Sequence, residues 1–95
     1  MNIIPLINSV TDQEFSVQLG NNNLAFRVRW LTRYSYFVVD IRDADNNPIA
    51  LGRALHVGIN LLAGLNTRIG KIVLEGETPT LANLGEKNNL VWYPS

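Results

Sequence analysis

An all-β fold, a small antiparallel β-barrel or sandwich with at most one short helical turn, is what this sequence predicts. Three observations carry it. Apolar and polar side chains alternate with period two in consecutive short segments, the spacing that puts every second side chain on one face of a strand. Clusters rich in glycine, asparagine and aspartate separate those segments, and such residues tolerate the positive φ that a tight reversal needs. The one stretch with partly helical spacing, HVGINLLAGLNTRIG, holds Gly58, Gly64 and Gly70, each weakening a helix by about 1 kcal/mol relative to alanine.

The first two strands are EFSVQL and LAFRVRW. Phe15, Val17 and Leu19 alternate with Glu14, Ser16 and Gln18. After the reversal GNNN, Leu24, Phe26, Val28 and Trp30 alternate with Ala25, Arg27 and Arg29. A second reversal, TRYS, leads into YFVVDIR, with Phe37, Val39 and Ile41 on one face. Pairing Leu19 with Leu24 puts Val17 opposite Phe26 and Phe15 opposite Val28. Pairing Trp30 with Phe37 puts Val28 opposite Val39 and Phe26 opposite Ile41. One face is then apolar across three strands. On the other face Glu14 falls opposite Arg29 and Asp40 opposite Arg27, and cross-strand charge pairs of this kind contribute about 0.2–1 kcal/mol each.

After DADNNP the segment IALGRAL keeps the inward phase at Ile49 and Leu51, and Arg53 breaks it near a bend at Gly52. HVGINLLAGLNTRIG, in which Val57, Leu61, Leu62 and Leu65 have the helical spacing, reads as a loop with at most one helical turn. Strand character returns in KIVLE, with Ile72 and Leu74 inward, and in NLVWYP, with either Leu90 and Trp92 or Val91 and Tyr93 inward. The polar loop GETPTLANLGEKN lies between them.

Ninety-five residues with 46% hydrophobic content suit one domain, residues 1–95, that buries roughly 60–65% of its unfolded surface. Eight basic and eight acidic side chains cancel, so bulk charge draws the chain toward neither nucleic acid nor an anionic membrane. The absence of cysteine excludes disulfides, thiolate catalysis and cysteine-bound metals. The opening MNIIPLINSV has no basic leader, and no apolar run approaches the roughly 20 residues that span a bilayer, which predicts a soluble protein made in the cytoplasm.

Candidate chemistry is sparse. Asp43, Asp45 and Asn47 alternate as the first ligands of a calcium loop do, but Pro48 and Ala54 stand where such a loop needs glycine and a bidentate glutamate. The stretch reads as a hairpin connection whose acids bond the turn's own backbone. His56, the only histidine, has no acid, serine or cysteine beside it in sequence and reads as structural. The stretch FRVRWLTRY could suggest an OB-like module that stacks single-stranded nucleic acid. Against that, Phe26, Val28 and Trp30 belong to the apolar face and Arg27 and Arg29 have acidic partners, which leaves only Arg33 and Tyr34 at the turn.

Taken in order, the early FSV, the Arg-x-Arg-Trp unit at Arg27, Arg29 and Trp30, and the series Asp40 to Pro48 form a recognisable set with Gly52, the pair Leu61-Leu62 and the closing LVWYP. In these the chain resembles the small baseplate plug proteins of contractile-tailed bacteriophages, of the cyanophage type. The resemblance implies a compact β-domain in the virion tail baseplate, made in the host cytoplasm, that plugs or completes the central channel against hub and tail-tube proteins. It implies no enzyme activity and no cofactor, with a trimer as the oligomer to expect. Arg33, Tyr34, Trp92 and Tyr93 are the candidate partner contacts, because aromatics and arginine are enriched at interface hot spots, and Trp92 reads equally well as a core residue. In a plug, residues 56–70 and 76–88 would be loops that order against neighbours.

Overall fold

The computed structural model describes residues 2–65 and 68–94. Among them seven strands follow one another: β1 (Asn2–Ile4), β2 (Asp12–Leu19), β3 (Asn22–Leu31), β4 (Tyr36–Asp43), β5 (Pro48–Ala54), β6 (Lys71–Gly76) and β7 (Asn88–Tyr93). They form a four-stranded sheet in the order β2-β3-β4-β5 and a three-stranded sheet in the order β1-β7-β6, and every neighbouring pair is antiparallel. The sheets are not closed into a barrel, and no helix occurs among the described residues.

The inner face of β3 and β4 sets the core. Leu24, Phe26 and Val28 of β3 and Phe37, Val39 and Ile41 of β4 are all buried, in the register read from the sequence: Trp30 opposite Phe37, Val28 opposite Val39, Phe26 opposite Ile41. Against them the three-stranded sheet sets Ile4, Ile72, Leu74, Leu90 and Trp92, and one hydrophobic cluster holds both layers. Of the two alternatives for β7, the pair Leu90 and Trp92 faces that cluster. Trp30 meets Phe37 edge to face, ring centres 4.8 Å apart, at the end of this layer.

The β2–β3 register differs from the one expected. Leu19 pairs with Asn22, Val17 with Leu24, Phe15 with Phe26 and Gln13 with Val28, a slip of two residues. The loop is Gly20-Asn21 alone, with Gly20 at φ 64°, the glycine-first arrangement of a two-residue hairpin turn. Asn22 and Asn23 belong to the strand. Gln13, in phase with Phe15 and Val17 on the apolar face, now stands opposite Val28, where it is buried and bonds both backbone groups of Ile7: its Oε1 accepts the Ile7 N–H at 2.9 Å and its Nε2 donates to the Ile7 carbonyl at 3.0 Å. Phe15 stacks parallel to Phe26 at 5.3 Å.

On β5, Ala50 rather than Leu51 points inward; Ala50 is buried and Leu51 is half exposed. The ladder with β4 is irregular between Val39 and Ile41 and again between Ile41 and Arg42, which shifts the phase by one residue. Gly52, at φ 63°, makes the bend.

The described parts of the two loop segments are held by their own bonds. Asn60 Oδ1 accepts the N–H groups of Leu62 and Ile72, both at 3.0 Å, and Leu61 N–H donates to the Ile72 carbonyl at 2.8 Å, so residues 57–61 run along the outer edge of β6. Leu61 and Leu62 are core residues, whereas Val57 is largely outside it. Asn66 and Thr67 of this segment lie outside the described residues. In residues 76–88, Asn83 and the buried Asn88 organise the chain. Asn83 Oδ1 accepts from Thr80 N–H at 2.7 Å, and Asn88 bridges Gly85 N–H at 2.8 Å to the Glu77 carbonyl at 3.1 Å.

Asn88→Ala removes the side-chain bonds to the Gly85 amide and the Glu77 carbonyl, and the expected loss is about 0.5–1.5 kcal/mol per bond, read as a lowered urea midpoint. An unchanged midpoint would mean the loop does not depend on this side chain.

Candidate interaction surface

The outer face of the four-stranded sheet carries charges in a row. Arg27 grips Asp12 with two bonds, Nε at 3.1 Å and the terminal nitrogen at 2.7 Å, and lies 3.5 Å from Glu14. Arg29 reaches Asp40 at 3.3 Å, and the other oxygen of Asp40 accepts the Gly52 N–H at 2.7 Å. Directly opposite residues are Glu14 with Arg27 and Arg27 with Asp40, so Asp40 is placed as expected and Glu14 is not. The arginines bond diagonally, one step off their opposite neighbours, and long side chains on a sheet reach such neighbours. The Arg27 guanidinium holds the Asp12 carboxyl below its ordinary value near 3.8.

Beyond this row, the β3–β4 reversal Thr32–Ser35 closes through Tyr34 N–H and Ser35 N–H, both on the Leu31 carbonyl at 3.0 and 2.7 Å, with Ser35 at φ 56°. The turn projects Tyr34, which is 64% exposed, and Arg33, which is exposed and forms no ion pair among the described residues. Tyr34 lies 6.2 Å from Tyr36, and Tyr36 lies 6.1 Å from His56 in a stacked arrangement. The result is a three-ring row at one end of the sheet. Tyr36 and His56 went unmarked in the sequence as surface partners of Tyr34. The outward phase of Tyr36 was the available signal, and His56 carried none, because its position depends on where β5 ends.

Trp92 and Tyr93 sit elsewhere. Trp92 is 6% exposed, its Nε1 donates to the Ile69 carbonyl at 2.9 Å, and its ring lies beneath Gly20 at the β2–β3 turn. That turn and the Tyr34 turn lie at opposite ends of the ten-residue β3, about 30 Å apart at strand rise. The four candidate residues therefore do not form one site, and the ring of Trp92 is spent on the core. Tyr93, half-buried, hydrogen-bonds Glu75 through its phenol. Tyr93 stands opposite Lys71 and Glu75 opposite Asn89, so phenol and carboxylate meet over the intervening pair Val73 and Val91. Val91 is buried although it faces outward. The hydrogen bond to the Glu75 carboxylate favours the neutral phenol and raises the Tyr93 pKa above its ordinary value near 10.

The aromatic residues of FRVRW face inward while Arg27 and Arg29 face outward and are paired, so no stacking platform with free arginines forms there. In the turn after β4, Asp43 Oδ1 accepts the N–H groups of Asp45 and Asn47, both at 2.9 Å, and Asn46 takes φ 66°. Asp43 thus bonds the turn's own backbone, as the sequence suggested. No group of three or more histidines and acids within reach of one metal ion occurs among the described residues.

A model of the family described as cyanophage baseplate Pam3 plug gp18 matches residues 1–95, the whole chain. No curated protein matches.

Two pH effects follow. The Asp12 contribution is present above pH 3.8 and is lost as pH falls through the lowered folded value, so Asp12→Asn should flatten the acid limb of stability measured by circular dichroism. The Tyr93 contribution is present below pH 10 and is lost as pH rises through the raised value. Ultraviolet difference titration should show tyrosinate absorbance lagging beyond pH 10, and Tyr93→Phe should abolish that lag.

Proposed function

The chain belongs to the cyanophage baseplate plug family, and from this we propose that it seals or completes the central channel of a contractile tail baseplate by packing against hub and tail-tube subunits. The whole-chain family match carries the proposal. The family is a structural baseplate one and not an enzyme class, and its membership makes the chain a component of the phage virion baseplate. In the proposed role the chain does no chemistry of its own and takes no cofactor. Three copies around the tail axis are the arrangement that suits a hub.

The exposed turn bearing Arg33 and Tyr34 is the contact the surface favours. It is a projecting aromatic beside a cation with no ion pair among the described residues, backed by the Tyr36 and His56 rings. Tyr93, over Val91, offers a second contact on the other sheet, and Trp92 supports it from within.

Mass spectrometry of purified particles tests the role: the protein is expected in intact tails, and its absence would overturn the reading. Arg33→Ala with Tyr34→Ala should lower its incorporation at least tenfold, about 1.4 kcal/mol or more of contact energy, while the thermal midpoint of the free protein stays unchanged. A salt-dependent affinity for oligonucleotides that this double variant abolishes would instead favour the single-strand binder. Copy number in an imaged baseplate decides the three-fold arrangement.

A further inference from the structure

Sheet edges are where β-proteins join one another, and this molecule treats its four edges unequally. The β6 edge is covered by residues 57–61, with Gly58 N–H donating to the Leu74 carbonyl at 2.9 Å and Leu61 N–H to that of Ile72. The β5 edge begins at Pro48, bends at Gly52 and departs from register twice. The β1 edge is three residues long and runs into Pro5. β2 alone is long, eight residues in unbroken register, with neither proline nor lysine.

The hairpin fixes which β2 groups face outward. Across the two-residue turn, Leu19 and Asn22 exchange both backbone bonds, and the alternation of an antiparallel ladder passes this to Val17, Phe15 and Gln13. Trp30 N–H on the Thr11 carbonyl, at 2.8 Å, continues it. The N–H and C=O groups of Asp12, Glu14, Ser16 and Gln18 therefore point off the sheet, where no described residue bonds them. Their side chains are exposed. On the inner side, Gln13 and Leu19 are buried but Phe15 and Val17 are only half covered, an apolar rim along the same edge.

We propose that this edge takes the β2 edge of a second copy, antiparallel about a two-fold axis at Phe15. The second copy is chosen because the strand is self-complementary in that register. Asp12 falls opposite Gln18 of the second copy and Glu14 opposite its Ser16, so each carboxylate meets an amide or hydroxyl and all four free residues of each strand form backbone bonds. On the inner side Phe15 meets Phe15, and the half-covered rims close on each other. A slip of two residues one way sets Glu14 against Glu14, a repulsive pair; a slip the other way sets Asp12 against Gly20, outside the strand. The pairing is isologous and closes at two copies, so it is separate from a three-fold packing about the tail axis.

Sedimentation velocity of the full chain over a dilution series tests it. A concentration-dependent dimer is expected. Ser16→Pro removes an N–H that no described residue bonds, so it should leave the thermal midpoint intact and raise the dimer dissociation constant at least tenfold. Hydrogen exchange of the wild-type protein gives a reading that does not depend on that variant: the amides of Glu14, Ser16 and Gln18 should slow as concentration rises. A monomer at every concentration would overturn the proposal, as would a dimer indifferent to Ser16→Pro. Protection of those amides only when another baseplate protein is added would assign the edge to that protein and overturn it as well. None of these outcomes bears on whether the protein is found in tails.

Discussion

Everything in this fold hangs on one pairing, β3 with β4. Ten and eight residues long, these strands meet in a register that puts six large side chains from Leu24 to Ile41 on one face with almost no exposure. That face cannot stand in water, and the three-stranded sheet exists to cover it. Ile72, Leu74, Leu90 and Trp92 come from strands too short to be stable by themselves, and β1 adds only Ile4. The burial that stabilises the fold is therefore shared, and neither sheet has a core without the other.

This division explains which features were legible in the sequence. Long alternating segments declare both their faces and, when nothing interrupts them, their partners, so β3–β4 could be aligned from the side chains alone. The β2 faces were readable too, but its partners were not. A slip of one residue would have turned the apolar side chains outward and been visible, whereas a slip of two preserves every face. Only the turn distinguishes those registers, and GNNN offers both a two-residue and a four-residue connection. Leu51 was misplaced because an irregular ladder inserts a phase shift that no periodicity contains. β1 escaped notice because three residues cannot display a period.

The surface was legible where a side chain's role is local. Asp43 folds its turn back on itself, and Arg33 and Tyr34 project because their turn does. Roles that depend on a distant element could not be read. His56 joins the tyrosines across β4 and β5, Trp92 lies under a hairpin more than seventy residues earlier, and Glu75 meets Tyr93 across two strands. Aromatic rings at one turn and an open sheet edge are the surface features this molecule presents to others.

The segment along β6 has one more consequence, and it concerns valency. A β-protein with two open edges can recruit a neighbour on each side, and the second neighbour presents the same invitation as the first, so growth has no natural end. By bonding the Leu74 and Ile72 carbonyls internally, residues 57–61 close the β6 edge and leave β2 as the one long regular edge among the described residues. Whatever chain occupies that remaining edge also terminates the series. Association through that strand would then close into a finite complex and not grow into fibres.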